Sequence, residues 1–128
     1  MYNWYTVNTG KLCPAGWHLP SNTERATLTD YLGGINIAGG KLKEAGTAHW
    51  ISPNTGATNE SGFTGLPGGL REYYDGTFNF IVNDGFWWSS TEYSSILALN
   101  LYLLYDNSSA SSSTYNKRDG FSIRCIRN

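Results

Sequence analysis

Two cysteines, two histidines and a scatter of carboxylates carry most of the reactive chemistry in this chain, and their spacing narrows what that chemistry is. Cys13 and Cys125 stand near opposite ends of the 128-residue sequence. Neither belongs to a Cys-x-x-Cys pair and no histidine is spaced beside them as a zinc partner, which argues against a metal or redox centre. A disulfide joining the two ends is the expectation, with two buried free thiols as the alternative. Such a bridge belongs to an oxidising compartment. His18 follows Trp17 and His49 precedes Trp50. Neither has a nucleophile and an orienting group at a spacing that builds an acyl-transfer triad, so packing or hydrogen bonding is expected of both. Asn54, Asn59, Glu60, Asp75 and Asp84 are oxygen donors of the kind calcium gathers about six to eight at a time. Solvated loop polarity is the expectation for them, and no metal or other cofactor is assigned. Gly33-Gly34 and Gly39-Gly40 lack the lysine and strand context of a phosphate-binding loop and read as turns and caps.

The composition sets the background. Hydrophobic residues make up 40% and charged residues only 15%, with nine Tyr, five Trp and fifteen Gly. A surface of Tyr, Ser, Asn and Gly is the palette of paratope loops; a glycine-rich β-domain with structural aromatics would share it. A net charge of −1 gives no field that favours nucleic acid or an anionic membrane. Lys117, Arg118, Arg124 and Arg127 cluster near the C-terminus and read as strand-edge charge that discourages aggregation. No apolar run approaches the roughly 18 residues of a membrane span. The opening Tyr2-Asn3-Trp4-Tyr5 has neither a basic n-region nor an apolar h-region, so a signal or anchor is expected to lie outside this segment.

The elements that must position these residues follow from local pattern. Tyr2 to Val7, aromatic and β-branched, reads as a strand. Ser21 with Glu24 three residues on forms a capping box, predicting a helix from Asn22 to about Leu32 that Gly33-Gly34 ends. Ala38 to Glu44 fits a short helix or a strand, and the Gly39-Gly40 pair weakens the helix. Trp50 to Gly69 is a long loop of the functional or self-packed kind. Leu70–Tyr74 and Thr77–Ile81 flank Asp75-Gly76, a hairpin signal. Phe86 to Thr91, Ala98 to Tyr105, Ser111 to Tyr115 and Gly120 to Arg127 read as further strands. Trp87 and Trp88 are expected on opposite sides of theirs, one in the core and the other in the core or flooring a binding surface. Phe121, Ile123, Cys125 and Leu103 are assigned to the core, while Leu101 fits either side. One early helix, long loops and a run of short antiparallel strands make an α+β class, expected as one domain over residues 1–128.

Three motifs occur in order: Cys13-Pro14-x-Gly16-Trp17-His18-x-Pro20-Ser21, Trp87-Trp88-Ser89-Ser90-Thr91-Glu92, and Gly120-Phe121-Ser122-Ile123-Arg124-Cys125-Ile126-Arg127. With the loop Pro53 to Phe63 between them, they resemble the Fibrobacter succinogenes major paralogous domain over nearly the whole chain. The resemblance implies a C-type-lectin-like fold, related to that of formylglycine-generating enzymes, found in bacterial secreted proteins, lipoproteins and pilus-associated adhesins. The closely spaced catalytic cysteine pair of those enzymes is absent here, as are the Glu-Pro-Asn and Gln-Pro-Asp tripeptides of calcium-dependent lectins. The same fold is implied for the variable proteins of diversity-generating retroelements, which randomise codons beginning as AAC. Such codons do not yield Lys, Glu, Gln, Trp or Met, and Tyr93 to Asn116 contains none of these five.

The resemblance therefore implies a non-enzymatic extracellular ligand-binding or display domain, in which the C-terminal strands present the contact residues. Tyr102, Tyr105 and Tyr115 would be the anchors, because Tyr offers amphipathic area at low entropy cost. Asn100, Asp106 and Asn107 would supply hydrogen bonds. Leu97, Leu99 and Leu104 would make the face apolar, and Ser109, Ser111 and Ser113 would complete it. The expected partner is a surface protein or glycan, with no nucleic acid and no membrane insertion by this segment. The alternative is a structural or assembly role in an adhesin or pilus tip, through strand pairing with another subunit.

Overall fold

In the computed structural model, which describes residues 1–128, the capping box is present as the sequence predicts. The Ser21 side chain accepts from the Glu24 amide and Glu24 returns to the Ser21 amide, starting helix α2 (Asn22–Tyr31). The N-terminal segment departs from expectation. Instead of a strand over Tyr2–Val7, one helical turn forms, α1 (Trp4–Val7). Asn3 caps it by accepting from the Thr6 amide at 3.0 Å, and the i,i+3 spacing turns both Trp4 and Val7 into the core. A local cap and an apolar pair on one helical face outweigh β-propensity here.

The remaining elements are β1 (Trp17–His18), α3 (Ile35–Leu42), β2 (Leu70–Arg71), β3 (Phe78–Asn79), β4 (Asp84–Glu92), β5 (Leu97–Leu104), β6 (Ser111–Asn116) and β7 (Ile126–Arg127). The α+β class stands. β2 and β3 pair antiparallel across the Asp75-Gly76 turn, but the hairpin is two residues deep, and Phe80 and Ile81 fall outside the strand expected over Thr77–Ile81. The Gly120–Arg127 segment is likewise not one strand. Tyr2 bridges Phe121, Ser122 bonds Phe86 and Trp88 through both its amide and its carbonyl, and only Ile126–Arg127 pairs with β1.

β4, β5 and β6 form an antiparallel sheet in that order, with Phe86 opposite Tyr102, Trp87 opposite Leu101 and Ala98 opposite Tyr115. Both faces of this sheet are covered, so alternation sorts its residues between two cores. Trp87, Leu101 and Leu103 pack with Leu32, Ala38, Leu42 and Trp50 on the α2–α3 side. Phe86, Trp88 and Ala98 pack with Trp4, Val7, Leu70 and Phe121 on the other. Both tryptophans of the Trp-Trp pair are thus core, one in each cluster. Phe121 is fully buried and stacks on Trp88 at 4.1 Å, while Ile123 and Cys125 are only partly buried.

Two tertiary features overrule the local signal, and the long loop takes the self-packed form. Helix α3 forms despite Gly39-Gly40, because the pair lets two other backbones approach. A Cβ on Gly39 would stand 2.0 Å from the Ser109 carbonyl oxygen, and one on Gly40 would stand 2.2 Å from that of Gly56. Lys117, expected at a strand edge, is buried over the Trp4 ring at 4.8 Å and bonds Glu92 and the Ser95 carbonyl. The loop after α3 is pinned rather than free: Trp50 donates to the Gly65 carbonyl at 2.9 Å, and the buried Asn54 amide donates to Glu44 and Gly46.

Cys13 and Cys125 are joined, with their Cα atoms 5.8 Å apart and 112 positions between them in sequence. Replacing both by Ser is expected to cost about 4 kcal/mol by the loop-closure relation, read as a lower urea midpoint of unfolding. Gly39→Ala is expected to lower Tm by roughly 10 °C, since overpacking against backbone leaves no side chain to yield. A melting curve unchanged by Gly39→Ala would show that α3 can move off the Ser109 backbone at little cost.

Candidate binding site

β5 and β6 carry Tyr102, Leu104, Ser113 and Tyr115 to one side of the sheet, where they wall a concavity of about 240 Å³ with Phe80, Asp84 and Phe86. Its floor is Phe86, which is 4% exposed and stacks on Tyr102 at 6.2 Å and 30°. Phe86 also meets Tyr115 edge-on at 5.8 Å and Phe80 at 6.1 Å. Edge-to-face and offset contacts at such distances hold rings in fixed orientations. The two tyrosines are therefore half in the core and half at the surface.

The Asp84 carboxyl has no side-chain hydrogen-bond partner among these groups. Burial beside the aromatic rings, and then the negative charge of Asp106, push its pKa up to about 6. Burial also raises the Tyr115 phenol, so the tyrosine presents a neutral hydroxyl at physiological pH. The concavity thus offers aromatic faces and an acid that changes charge just below neutrality, a combination suited to holding a ligand with apolar faces and a few polar groups.

Apolar side chains are exposed along the chain from β3 onward: Phe78, Phe80, Ile81 and Val82 are each between 44% and 57% exposed, and Phe80 also lines the concavity. Phe80 and Val82 hold φ of 60° and 66°, a left-handed conformation that costs a β-branched residue most. Surrounding bonds impose it. Val82 donates to the Pro67 carbonyl at 3.0 Å and accepts from Ile51 at 2.8 Å, while the Phe80 carbonyl accepts from Asn83 and Asp84. Strained backbone that presents apolar side chains to solvent is a feature of binding loops.

The expected contact residues divide. Tyr102, Leu104, Ser113 and Tyr115 are brought together. Leu97 and Leu99 lie on the opposite face by alternation with Leu101 and Leu103, which are buried there. Asn100 is fully buried; its Oδ1 accepts from the Ser113 amide at 3.1 Å, so it serves the sheet and has no access to a ligand. Tyr105 packs against the Trp87 core, away from the other two tyrosines. Asp106 is exposed in the β5–β6 turn and accepts from the Asn107 amide group. Asn107 itself caps Ser109 at 2.9 Å. Ser109 supplies the carbonyl against Gly39, and Ser111 lines a separate small cavity beside α2.

Phe80 and Phe86 are the members that sequence reading missed, and Asp84 was weighed there only as a calcium donor. The signal available was the apolar run Phe80-Ile81-Val82 directly before the Asn83-Asp84-Gly85 turn, which a strand alternating between two faces does not need. The histidines hydrogen-bond as expected. His18 links Glu24 at 2.8 Å and Asn128 at 2.7 Å, bonds that raise its pKa, and His49 meets Glu44. Of the oxygen donors weighed for calcium, Asn59 and Asp75 accept amide bonds within their own loops, whereas the Asn54 Oδ1 is buried without a partner. No group of three or more His, Cys, Asp or Glu side chains converges.

Fold and site together define a disulfide-tied α+β domain with an open aromatic concavity on its C-terminal strands. The chain belongs to a bacterial family: it matches the family model of the Fibrobacter succinogenes major domain over residues 1–127. No curated protein and no solved structure matches it.

Because the folded-state pKa of Asp84 lies above the ordinary carboxylate value, its ionised form costs stability. That cost is absent below about pH 4 and develops as pH rises through about 6. Asp84→Asn is therefore expected to raise Tm at pH 7 and to leave it unchanged near pH 4. A variant whose Tm difference does not vary across this window would mean that Asp84 is solvated.

Proposed function

We propose that this chain is a non-enzymatic, extracellular ligand-binding domain of C-type-lectin-like type, which displays its contact residues from β5, β6 and the Phe78–Val82 segment. The observation that carries the reading is the concavity walled by Tyr102, Leu104, Ser113 and Tyr115 and continuous with strained, exposed Phe80. Tyrosine and phenylalanine at such a rim bury large area on contact while losing little side-chain entropy. Further support comes from the disulfide, which suits an oxidising compartment. Both cysteines are consumed in it, leaving no thiol for chemistry of the formylglycine-generating kind. No helix is long and apolar enough to cross a membrane. The ligand class is a surface protein or glycan with an apolar or sugar-ring face.

The four lining residues on β5 and β6 fall within Tyr93–Asn116, the stretch free of Lys, Glu, Gln, Trp and Met, while Asp84 and Phe86 on β4 lie outside it. Ala98, Asn100, Leu101, Leu103 and Ala110 in the same stretch are buried, so variation by a diversity-generating retroelement would be tolerated only at its exposed and half-buried positions. A near-copy of this segment in neighbouring DNA, adenine at each differing site and beside a reverse-transcriptase gene, would support diversification. Its absence would leave a fixed binding site.

A second reading, assembly with another subunit, rests on β6 being a sheet edge. Size-exclusion chromatography over a range of concentrations separates the two, because strand pairing would give self-association that rises with concentration.

The decisive variant is Phe80→Asn. Asn tolerates the left-handed conformation that Phe80 holds, so Tm is expected to stay level or rise. Binding to arrayed surface glycans or proteins is expected to weaken roughly tenfold or more. Binding unaffected by both Phe80→Asn and Tyr115→Phe would remove the concavity from consideration as the site.

A further inference from the structure

The largest cavity, about 420 Å³, lies on the Trp87 side of the sheet between α2 and the C-terminal segment. Leu28, Leu42, Phe63, Trp87, Leu101 and Ile126 make it apolar. Its charged residues are Arg25, Arg124 and Arg127 against Glu24 alone, and the Glu24 carboxylate is already bound to His18 and Ser21.

Arg25 is the unusual member. It is only 9% exposed, and no carboxylate lies within 4 Å of it in any ion pair of the chain. One Nη donates to the Trp87 carbonyl at 3.2 Å and the other to the Asn22 side chain at 3.3 Å. Its Nε has no partner. A guanidinium carries five N–H donors and keeps its charge, so one that is buried without an anion is costly. Burial pushes its pKa down to about 10, which still leaves it cationic at neutral pH. At the rim, Arg124 lies over the Phe63 ring at 4.5 Å, while Arg127 is exposed on β7.

We propose that this cavity binds a medium-chain alkyl carboxylate, with its hydrocarbon against Leu28, Leu42, Phe63 and Leu101 and its carboxylate on the Arg25 guanidinium. The volume is in the range of small-molecule pockets, roughly 300–1,000 Å³. A carboxylate would offset the uncompensated charge, because paired and hydrogen-bonded ions are the form in which charge is tolerated in interiors. This site is on the opposite side of the sheet from Tyr102 and Tyr115, and it stands or falls independently of the concavity there.

Trp17, Trp87 and Trp88 all line the cavity, so titration with decanoate can be followed by intrinsic fluorescence. Saturable binding is expected with Kd on the order of 10–100 µM, and decanol should bind roughly tenfold more weakly. Arg25→Met should bring the two ligands within about threefold of each other. Leu28→Trp, which fills the cavity from a partly exposed helix position, should abolish both. Should Arg25→Met fail to fold, the comparison of decanoate with decanol on the unaltered chain and the Leu28→Trp variant still decide. The proposal is overturned if decanoate gives no saturable change, if decanol binds as tightly, or if Arg124→Ala with Arg127→Ala removes the discrimination that Arg25→Met retains. Tighter binding of a short Leu-terminated peptide would assign the cavity to a chain end instead. Dimerisation lost on Leu28→Trp would assign it to a second copy.

Discussion

A lysine ammonium withdrawn entirely from solvent ties together the parts of this molecule that have no regular structure. Lys43 is fully buried, and its Nζ donates to the carbonyls of Thr55, Leu104 and Asn107, each at 2.9 Å. All three of its N–H donors are used, and the Trp50 ring lies 5.4 Å away. One charge thereby joins the end of α3 to the long loop, to the end of β5 and to the turn that leads into β6. Burial pushes its pKa down to about 8, which still leaves the protonated form in excess at neutral pH. Without that charge, three carbonyls in the interior would lose their donor, the kind of loss that costs more than the bond itself contributes.

The reason such a device is needed lies in the backbone. Of 66 backbone hydrogen bonds, 43 lie outside helices and strands, so most of the main chain is paired piecemeal. Carbonyls left over by this arrangement are collected by side chains. Trp4, Trp50 and Trp88 each donate their indole N–H to a carbonyl, at 2.8, 2.9 and 2.8 Å. Lys117 and Arg25 do the same with the Ser95 and Trp87 carbonyls. Buried cations in this fold are thus fasteners of irregular chain, and the disulfide acts in the same sense at the two ends.

This scaffold explains how one three-stranded sheet supports two surfaces of different character. Because both faces are packed, alternate strand residues point to one core or the other, and each face borders its own concavity. On the Phe86 side the opening is lined by tyrosines that are anchored below and open above. On the Trp87 side it is lined by aliphatic groups around a buried guanidinium.

Local chemistry was enough for some of this. Ser21 and Glu24 start α2 and Gly33-Gly34 end it through bonds spanning a few residues, and Asp75-Gly76 marks the hairpin by the same short-range logic. The motif residues around Cys13, Trp87 and Cys125 identified the family; residue type and the resemblance singled out Tyr102 and Tyr115, and the sheet brings both to one concavity. What the sequence did not determine involves partners far along the chain. The turn at Trp4–Val7 instead of a strand, Gly39-Gly40 inside a helix, Lys117 inside a core and Asn100 beneath the sheet all depend on such neighbours. The Nζ of Lys43 meets carbonyls 61 and 64 residues away, and Asp84 joins Tyr102 and Tyr115 only because β4, β5 and β6 lie side by side. Caps and turns can be read from sequence because their energy is spent within one turn of chain. Burial of charge, close approach of backbones and the lining of a cavity are properties of a packed interior, and the tertiary structure alone decided them.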